Sequence, residues 1–227
     1  MTNVSVILFS LFWIIGFVHL YSIYFRHVNL RKITKCLILP LLIAFYVTEY
    51  NENGLSPDLY IVAAFFFSFV GDVLLLMKKA QCFSIGGVSF VLSHICFISS
   101  FAKNITYTAG TIVTGAIMFL IYFSIINIVK NNINDFIPKS LKLPMVGYLS
   151  ANAVMNVFAL MQLLSNPSTA TVYIYIGALL FFYSDSVLFD VHFHKCTFTL
   201  KRHVVEMFAY ILGECLICYG AVLIGVA

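Results

Sequence analysis

Residues 181–189 read Phe-Phe-Tyr-Ser-Asp-Ser-Val-Leu-Phe (FFYSDSVLF) and place Asp185 inside a run of aromatic and aliphatic side chains. An ionised carboxylate at the depth of a bilayer costs roughly 2 to 4 kcal/mol even on lenient insertion scales, so Asp185 needs a partner or a task. Outward from this stretch the apolar run extends from Thr169 to Val191, long enough to cross a membrane as a helix. The rest of the chain has the same character. With 62% hydrophobic and 10% charged residues among 227, and a mean hydropathy of +1.00, there is too little polar surface to coat a water-soluble globule.

Apolar runs of spanning length predict eight helices: Val4–Phe25, Cys36–Tyr50, Leu59–Met77, Phe83–Ala102, Thr108–Val129, Leu143–Leu164, Thr169–Val191 and His203–Val226. The second is short and carries Pro40, which the first turns of a membrane helix tolerate. Connections are short and no low-complexity linker divides the chain. The expected fold is therefore all-α: a polytopic membrane bundle of eight transmembrane helices in one domain, residues 1–227.

Basic residues orient it. The segments after helices one, three, five and seven hold Arg26, Arg31, Lys32, Lys35, Lys78, Lys79, Lys130, Lys139, Lys142, Lys195, Lys201 and Arg202, leaving Lys103 for the other side. Twelve cations against one is a positive-inside signal that predicts both termini on the non-cytoplasmic side. The first helix has neither a preceding basic region nor a small-residue cleavage site, so it is read as a retained span. The net charge of +4 is thus spread along one membrane face, where it sets topology and meets lipid head groups; no nucleic-acid partner is expected. Cys36, Cys82, Cys96, Cys196, Cys215 and Cys218 show no framework spacing and are read as buried small apolar residues.

Among nine acidic residues, Asp72, Asp185, Glu206 and Glu214 fall within predicted spans. Asp72 and Asp185 each lie about five residues before the cytoplasmic end of their helix, roughly 8 to 10 Å below that face at 1.5 Å per residue. They are expected to meet across the bundle. Their surroundings are alike, Gly71-Asp72-Val-Leu-Leu75 against Ser184-Asp185-Ser-Val-Leu188, a separation compatible with two four-helix halves in a parallel repeat. Two carboxyl groups in one dry site do not both ionise readily, so the pair divides into an acid and a base. Helix glue, in which a protonated Asp bonds to a neighbouring helix, uses the same residues. So does transport, which calls for a continuous polar path; helix four offers His94 and helix six Asn152 and Asn156, but beyond these the outer half is poor in ionisable groups, which favours a dead-end pocket over a channel.

Gly71-Asp72, the spaced Phe83, Gly86, Phe90 and His94, and the run Gly177-Ala-Leu-Leu-Phe181-Phe-Tyr-Ser184-Asp185-Ser-Val-Leu188 together resemble the YhhN-like lysoplasmalogenase family of multi-pass membrane proteins. Weaker agreement runs from Thr34-Lys35 to Pro40, from Tyr148 to Met155, and through the last helix, so it covers nearly the whole chain. The resemblance implies an eight-helix ether hydrolase that splits lysoplasmalogens with water into a fatty aldehyde and glycerophosphoethanolamine or glycerophosphocholine. Catalysis by Asp72 and Asp185 is implied, with His94 orienting a carboxylate or water, Ser184, Asn152, Asn156 and Glu214 in support, and no cofactor. The basic face suggests Lys78, Lys79 and Arg202 for the substrate phosphate. Cys36 and the pair Gly213-Glu214 depart from the family pattern, and the latter adds an ionisable group beside the pocket. His192, His194 and His203 near Asp190 offer zinc-type ligands but sit at the basic boundary, where interfacial histidines are expected instead; His19 is read as a packed polar residue. A transporter and a non-catalytic lipid-binding protein remain the competing classes. An endoplasmic reticulum membrane follows for a eukaryotic source, and a bacterial inner membrane satisfies the same helix lengths.

Overall fold

The computed structural model describes residues 3–77, 80–193 and 200–226. Over these residues the chain forms eight helices and no strand: α1 (Asn3–Tyr24), α2 (Val28–Glu52), α3 (Leu59–Leu75), α4 (Ala80–Ala102), α5 (Ala109–Ile133), α6 (Lys139–Ser165), α7 (Thr169–Phe193) and α8 (Leu200–Val226). Six of them, α1 and α4 to α8, are long and apolar enough to cross a membrane; α3 is a shorter apolar helix. The chain is thus an all-helical integral membrane protein by length and composition. Large apolar side chains lie on the outside at helical spacing, as Val113, Ile117 and Leu120 do on α5, the pattern of a surface solvated by lipid.

The helices outrun the hydropathy windows. α2 begins at Val28, eight residues before the expected Cys36, so Arg31, Lys32, Thr34 and Lys35 are helical and not loop residues. Pro40 accordingly sits deep inside α2, not in its first turns. Charged residues end a hydropathy run, yet they do not end a helix whose backbone bonds are satisfied internally and whose polar side chains face other protein groups. Lys139 and Lys142 on α6, and Lys201 and Arg202 on α8, extend their helices in the same way.

Packing runs α7 on α8, α3 on α4, α1 on α2, α4 on α6, α5 on α6, α6 on α7 and α2 on α3, with α8 also against α1 and α2. Four of these pairs recur after a shift of four helices: α1·α2 and α5·α6, α2·α3 and α6·α7, α3·α4 and α7·α8, α4·α6 and α8·α2. The two halves are therefore built alike. α3 and α7, which carry the two aspartates, form no packed helix pair. Glycine sets the tightest seam. A Cβ on Gly177 would lie 2.6 Å from the Gly213 carbonyl oxygen, and one on Gly220 2.6 Å from that of Ala170, so α7 and α8 meet backbone to backbone.

At the opposite end from the two aspartates, Asp58 caps α3 by accepting from Tyr60 N (3.0 Å) and also accepts from Ser100 Oγ (2.7 Å) and Lys103 Nζ (2.9 Å). Lys103, the one cation assigned to this side, is thereby charge-paired where it stands, and its ammonium lies 4.5 Å from the Tyr60 ring centre.

Candidate active site

Asp72 and Asp185 are both buried, 2% and 3% exposed, and each is held by its own set of partners. Asp72 Oδ1 lies 3.1 Å from Lys35 Nζ on α2, and its Oδ2 accepts from the Tyr210 hydroxyl on α8 at 2.9 Å. Asp185 Oδ2 accepts from Asn152 Nδ2 on α6 at 2.6 Å, with His94 Nε2 on α4 at 3.7 Å from the same oxygen. The amide of Asn152 is itself oriented: its Oδ1 accepts from Asn156 Nδ2 (3.0 Å), and Asn156 Oδ1 accepts from the Tyr122 hydroxyl (3.3 Å). This chain of donors fixes which end of Asn152 faces the acid.

No hydrogen bond joins the two aspartates, and each takes its polar partners from other helices. Tyr148, Tyr210 and Glu214 each stand in the field of both acids, which places the two in one polar layer. The ring of Phe181, one turn before Asp185, lies edge-on to both His94 (5.2 Å) and Tyr210 (5.5 Å). Tyr148 is buried and stands next to Asp185, in the fields of Asp72 and Glu214 as well. Glu214 is fully buried, with Ser68 and Tyr210 as its nearby donors and both aspartates close enough to act on it. Three carboxyl groups thus share one buried layer.

Two openings border the helices that carry these residues. A groove of about 330 Å³ between α4 and α6 is almost wholly apolar, with Phe90, Val91, Met145, Tyr148 and Phe189 on its walls and exposed Val88 and Gly147 at its rim. A cleft of about 230 Å³ at the foot of α2 and α8 is polar, lined by His19, Arg31, Lys35, His203 and Glu206. They share Leu75, Phe83 and Leu188 as a common wall. Leu75 and Leu188 each lie three residues, one helical turn, beyond an aspartate (75 − 72 and 188 − 185), so the shared wall stands on the same helices as the acids, one turn away from them.

The repeat accounts for this pairing. Moving by 113 residues (185 − 72) carries Arg31 to Pro144, Lys35 to Tyr148, Leu75 to Leu188 and Leu76 to Phe189, and the reverse step carries His203 to Phe90. Several residues of the polar cleft thus land on residues of the apolar groove, whereas His19, Glu206 and Met207 land on Asn132, Ser93 and His94, which do not line it. The two openings correspond in part, one furnished with cations and the other with apolar side chains. Lys35 faces Asp72 where the neutral phenol Tyr148 faces Asp185.

His94, Asn152, Asn156 and Glu214, expected from sequence, all fall in this layer. Ser184 is buried but takes no part in the hydrogen bonds to Asp185. Arg202 is exposed and does not line the cleft, whereas Lys78 and Lys79 lie outside the described residues. Among the described residues, Arg31 and Lys35 are the lysine and arginine side chains that line the cleft. His19 is a packed polar residue, as expected: it is buried, its Nδ1 is 2.8 Å from Thr34 Oγ1, and it also borders the cleft. Of the zinc-type residues, His203 Nδ1 instead pairs with Glu206 at 2.7 Å, while His194 and the side chains of Asp190 and His192 lie outside the described residues.

Sequence reasoning missed Lys35, Tyr148 and Tyr210. Lys35 was assigned to a loop because it ends a hydropathy run, yet its spacing of four from Arg31 puts both on one helix face. Tyr210 stands one turn before Glu214 on α8, and Tyr148 is where the 113-residue step lands from Lys35.

The YhhN family model matches residues 30–221, which includes both aspartates and every element lining the two openings except α1. The chain belongs to the YhhN family. No curated protein and no solved structure gives a significant match to this YhhN-family chain.

Proposed function

We propose that this YhhN-family chain hydrolyses the vinyl ether bond of lysoplasmalogens, releasing a fatty aldehyde and glycerophosphoethanolamine or glycerophosphocholine. The observation that carries the reading is that a cation-bearing cleft and an apolar groove share Leu75, Phe83 and Leu188, and that Leu75 and Leu188 each stand one helical turn from a buried aspartate. A single-chain zwitterionic lipid matches that shape. Its tail fills the groove between α4 and α6, and its phosphate meets Arg31 and Lys35. Its amine faces Glu206, and its vinyl ether, at the join of head and tail, comes to the acids.

The partners of the two aspartates divide the labour between them. Asp72, with one oxygen on the Lys35 ammonium and the other on the Tyr210 hydroxyl, serves as the carboxylate. Asp185, whose Oδ2 takes the neutral Asn152 amide, serves as the acid through Oδ1. Asp185 gives its proton to the alkene carbon β to the ether oxygen, and the π electrons leave an oxocarbenium ion that Asp72 stabilises. Water adds to the carbon bearing the oxygen and passes a proton to a carboxylate. The hemiacetal then collapses, its hydroxyl proton leaving as the glycerol oxygen takes one up, so Asp185 is reprotonated and one water is consumed per bond cleaved.

The test is aldehyde release by purified protein from vinyl-ether and ester lysolipids assayed side by side, with Asp72→Asn and Asp185→Asn. Aldehyde from the vinyl ether alone, abolished in both variants at unchanged helical content, is the expected result. Substrate movement across vesicles without aldehyde would assign the chain to transport, and binding retained in both variants without turnover would assign it to lipid binding. All eight helices are taken to span, with both termini on the non-cytoplasmic side, and in a eukaryote the membrane is the endoplasmic reticulum. The supporting feature is the basic asymmetry of the loops.

A further inference from the structure

We propose that Lys35 is a positioning residue that transfers its ammonium from Asp72 to the phosphate of an incoming head group, unmasking the Asp72 charge for the reaction. The inference rests on the vinyl-ether reading and adds to it a coupling between head-group recognition and chemistry. Lys35 is unusual in belonging to both sites: Nζ is 3.1 Å from Asp72 Oδ1, while the side chain, 14% exposed, lines the polar cleft. Arg31, one turn earlier on α2, lines the same cleft, so a phosphate drawn there by Arg31 arrives within reach of a flexible ammonium. His19 and His203 add two further polar side chains to the cleft wall.

Without substrate, Lys35 neutralises Asp72. A neutralised carboxylate exerts little field on a neighbouring cation, whereas the same charge without its counterion in a dry site stabilises an oxocarbenium ion strongly. Tyr210 keeps its bond to Oδ2 when Lys35 leaves, so Asp72 holds its place. Among the described residues, the other groups named as acting on Asp72, namely Glu206, Glu214 and Tyr210 of α8 and Tyr148 of α6, carry no positive charge that would replace the ammonium. The equivalent place in the second half is held by Tyr148, which is neutral, so Asp185 has no such lock. Phosphate recognition thus becomes a condition for turnover, and an alkenyl chain without phosphate leaves Asp72 masked.

The experiment compares a 1-alkenyl glycerophosphoethanolamine with the phosphate-free 1-alkenylglycerol, the latter with and without inorganic phosphate in trans. In the wild-type protein, kcat on the phosphate-free substrate is expected to be at least tenfold lower and to rise at least tenfold with saturating phosphate. Lys35→Met is expected to abolish the response to phosphate, and Arg31→Gln to raise the phosphate concentration needed. Equal kcat on the two substrates, or a phosphate response that persists in Lys35→Met, overturns the transfer. If Lys35→Met does not fold, the wild-type response and its weakening in Arg31→Gln decide. If the wild type releases aldehyde from neither substrate, the vinyl-ether reading fails on its own. The transfer is then judged by infrared difference spectroscopy: a carboxylate band that is absent in Asp72→Asn shifts on adding inorganic phosphate, and an unmoved band overturns it.

Discussion

The hydroxyl of Tyr210 donates to Asp72 Oδ2 at 2.9 Å although the two residues stand 138 positions apart in the chain. The bond fastens the acid of one half to the last helix of the other. Tyr210→Phe keeps the ring against Phe181 and removes only the donor. Loss of one buried donor is worth about 1 to 3 kcal/mol, so aldehyde release is expected to fall roughly 5- to 150-fold at nearly unchanged folding. The comparison of kcat with circular dichroism in detergent checks it.

Asn152 is the corresponding donor to Asp185, and its orientation depends on Asn156 and Tyr122. Asn152→Ala is expected to cost about as much as Tyr210→Phe, and Tyr122→Phe clearly less, because it acts two bonds away. Measuring kcat for the two variants and their double mutant separates a chain of donors, which gives non-additive losses, from independent sites, which give additive ones.

Gly147 and Gly87 border the apolar groove, and a Cβ built on either meets nothing within 4 Å. Gly147→Leu is therefore expected to occupy the groove without straining the helices. Hydrolysis of long-chain substrates drops while that of short-chain ones is retained, read as kcat/KM against chain length.

Gly177 and Gly213 lie where α7 and α8 touch, with a Cβ on Gly177 only 2.6 Å from the Gly213 carbonyl oxygen. Backbone cannot give way as a side-chain tip can, so Gly177→Ala is expected to destabilise by about 1 to 3 kcal/mol, seen as a lower melting temperature in detergent. Activity falls with it, since α7 carries Asp185 and α8 carries Tyr210.

Asp58 lies outside the spans. Burial pushes its carboxyl up, but hydrogen bonds from Lys103, Ser100 and the Tyr60 backbone outweigh this and leave it below its usual value of 3.8. A carboxyl lowered in the folded state contributes stability that is fully present above the unfolded value and disappears as pH falls through the folded one. Asp58→Asn, which retains a capping side chain, is thus expected to melt lower than wild type at neutral pH, by about 1 kcal/mol or less for so open a pair. The two melting curves are expected to converge as pH falls below the ordinary carboxylate range.

Much of this protein was readable before any helix was placed. The long apolar runs require lipid as solvent and helix as conformation, because backbone groups in hydrocarbon must bond within their own segment. Thirteen basic residues fall twelve to one between the two sets of expected loops, a pattern from which an orientation is proposed. Asp72 and Asp185 stand out because charge is rare in such segments. The ends of α2 were less legible, since hydropathy stops at Arg31 and Lys35 and the helix does not.

Which groups face which acid was decided only when the helices packed. Hydropathy and periodicity act over one or two turns. The contacts that define the site join Lys35 to Asp72, Asn152 to Asp185, and Tyr210 to Asp72 across 37, 33 and 138 residues (72 − 35, 185 − 152 and 210 − 72). The partial correspondence of the polar cleft and the apolar groove is likewise tertiary. It depends on two similar halves closing on each other, so that each aspartate takes partners from several other helices and the two openings share one wall. Burial then makes those contacts matter, because a charge or a donor left unmatched in the dry layer costs far more than the same group would in water.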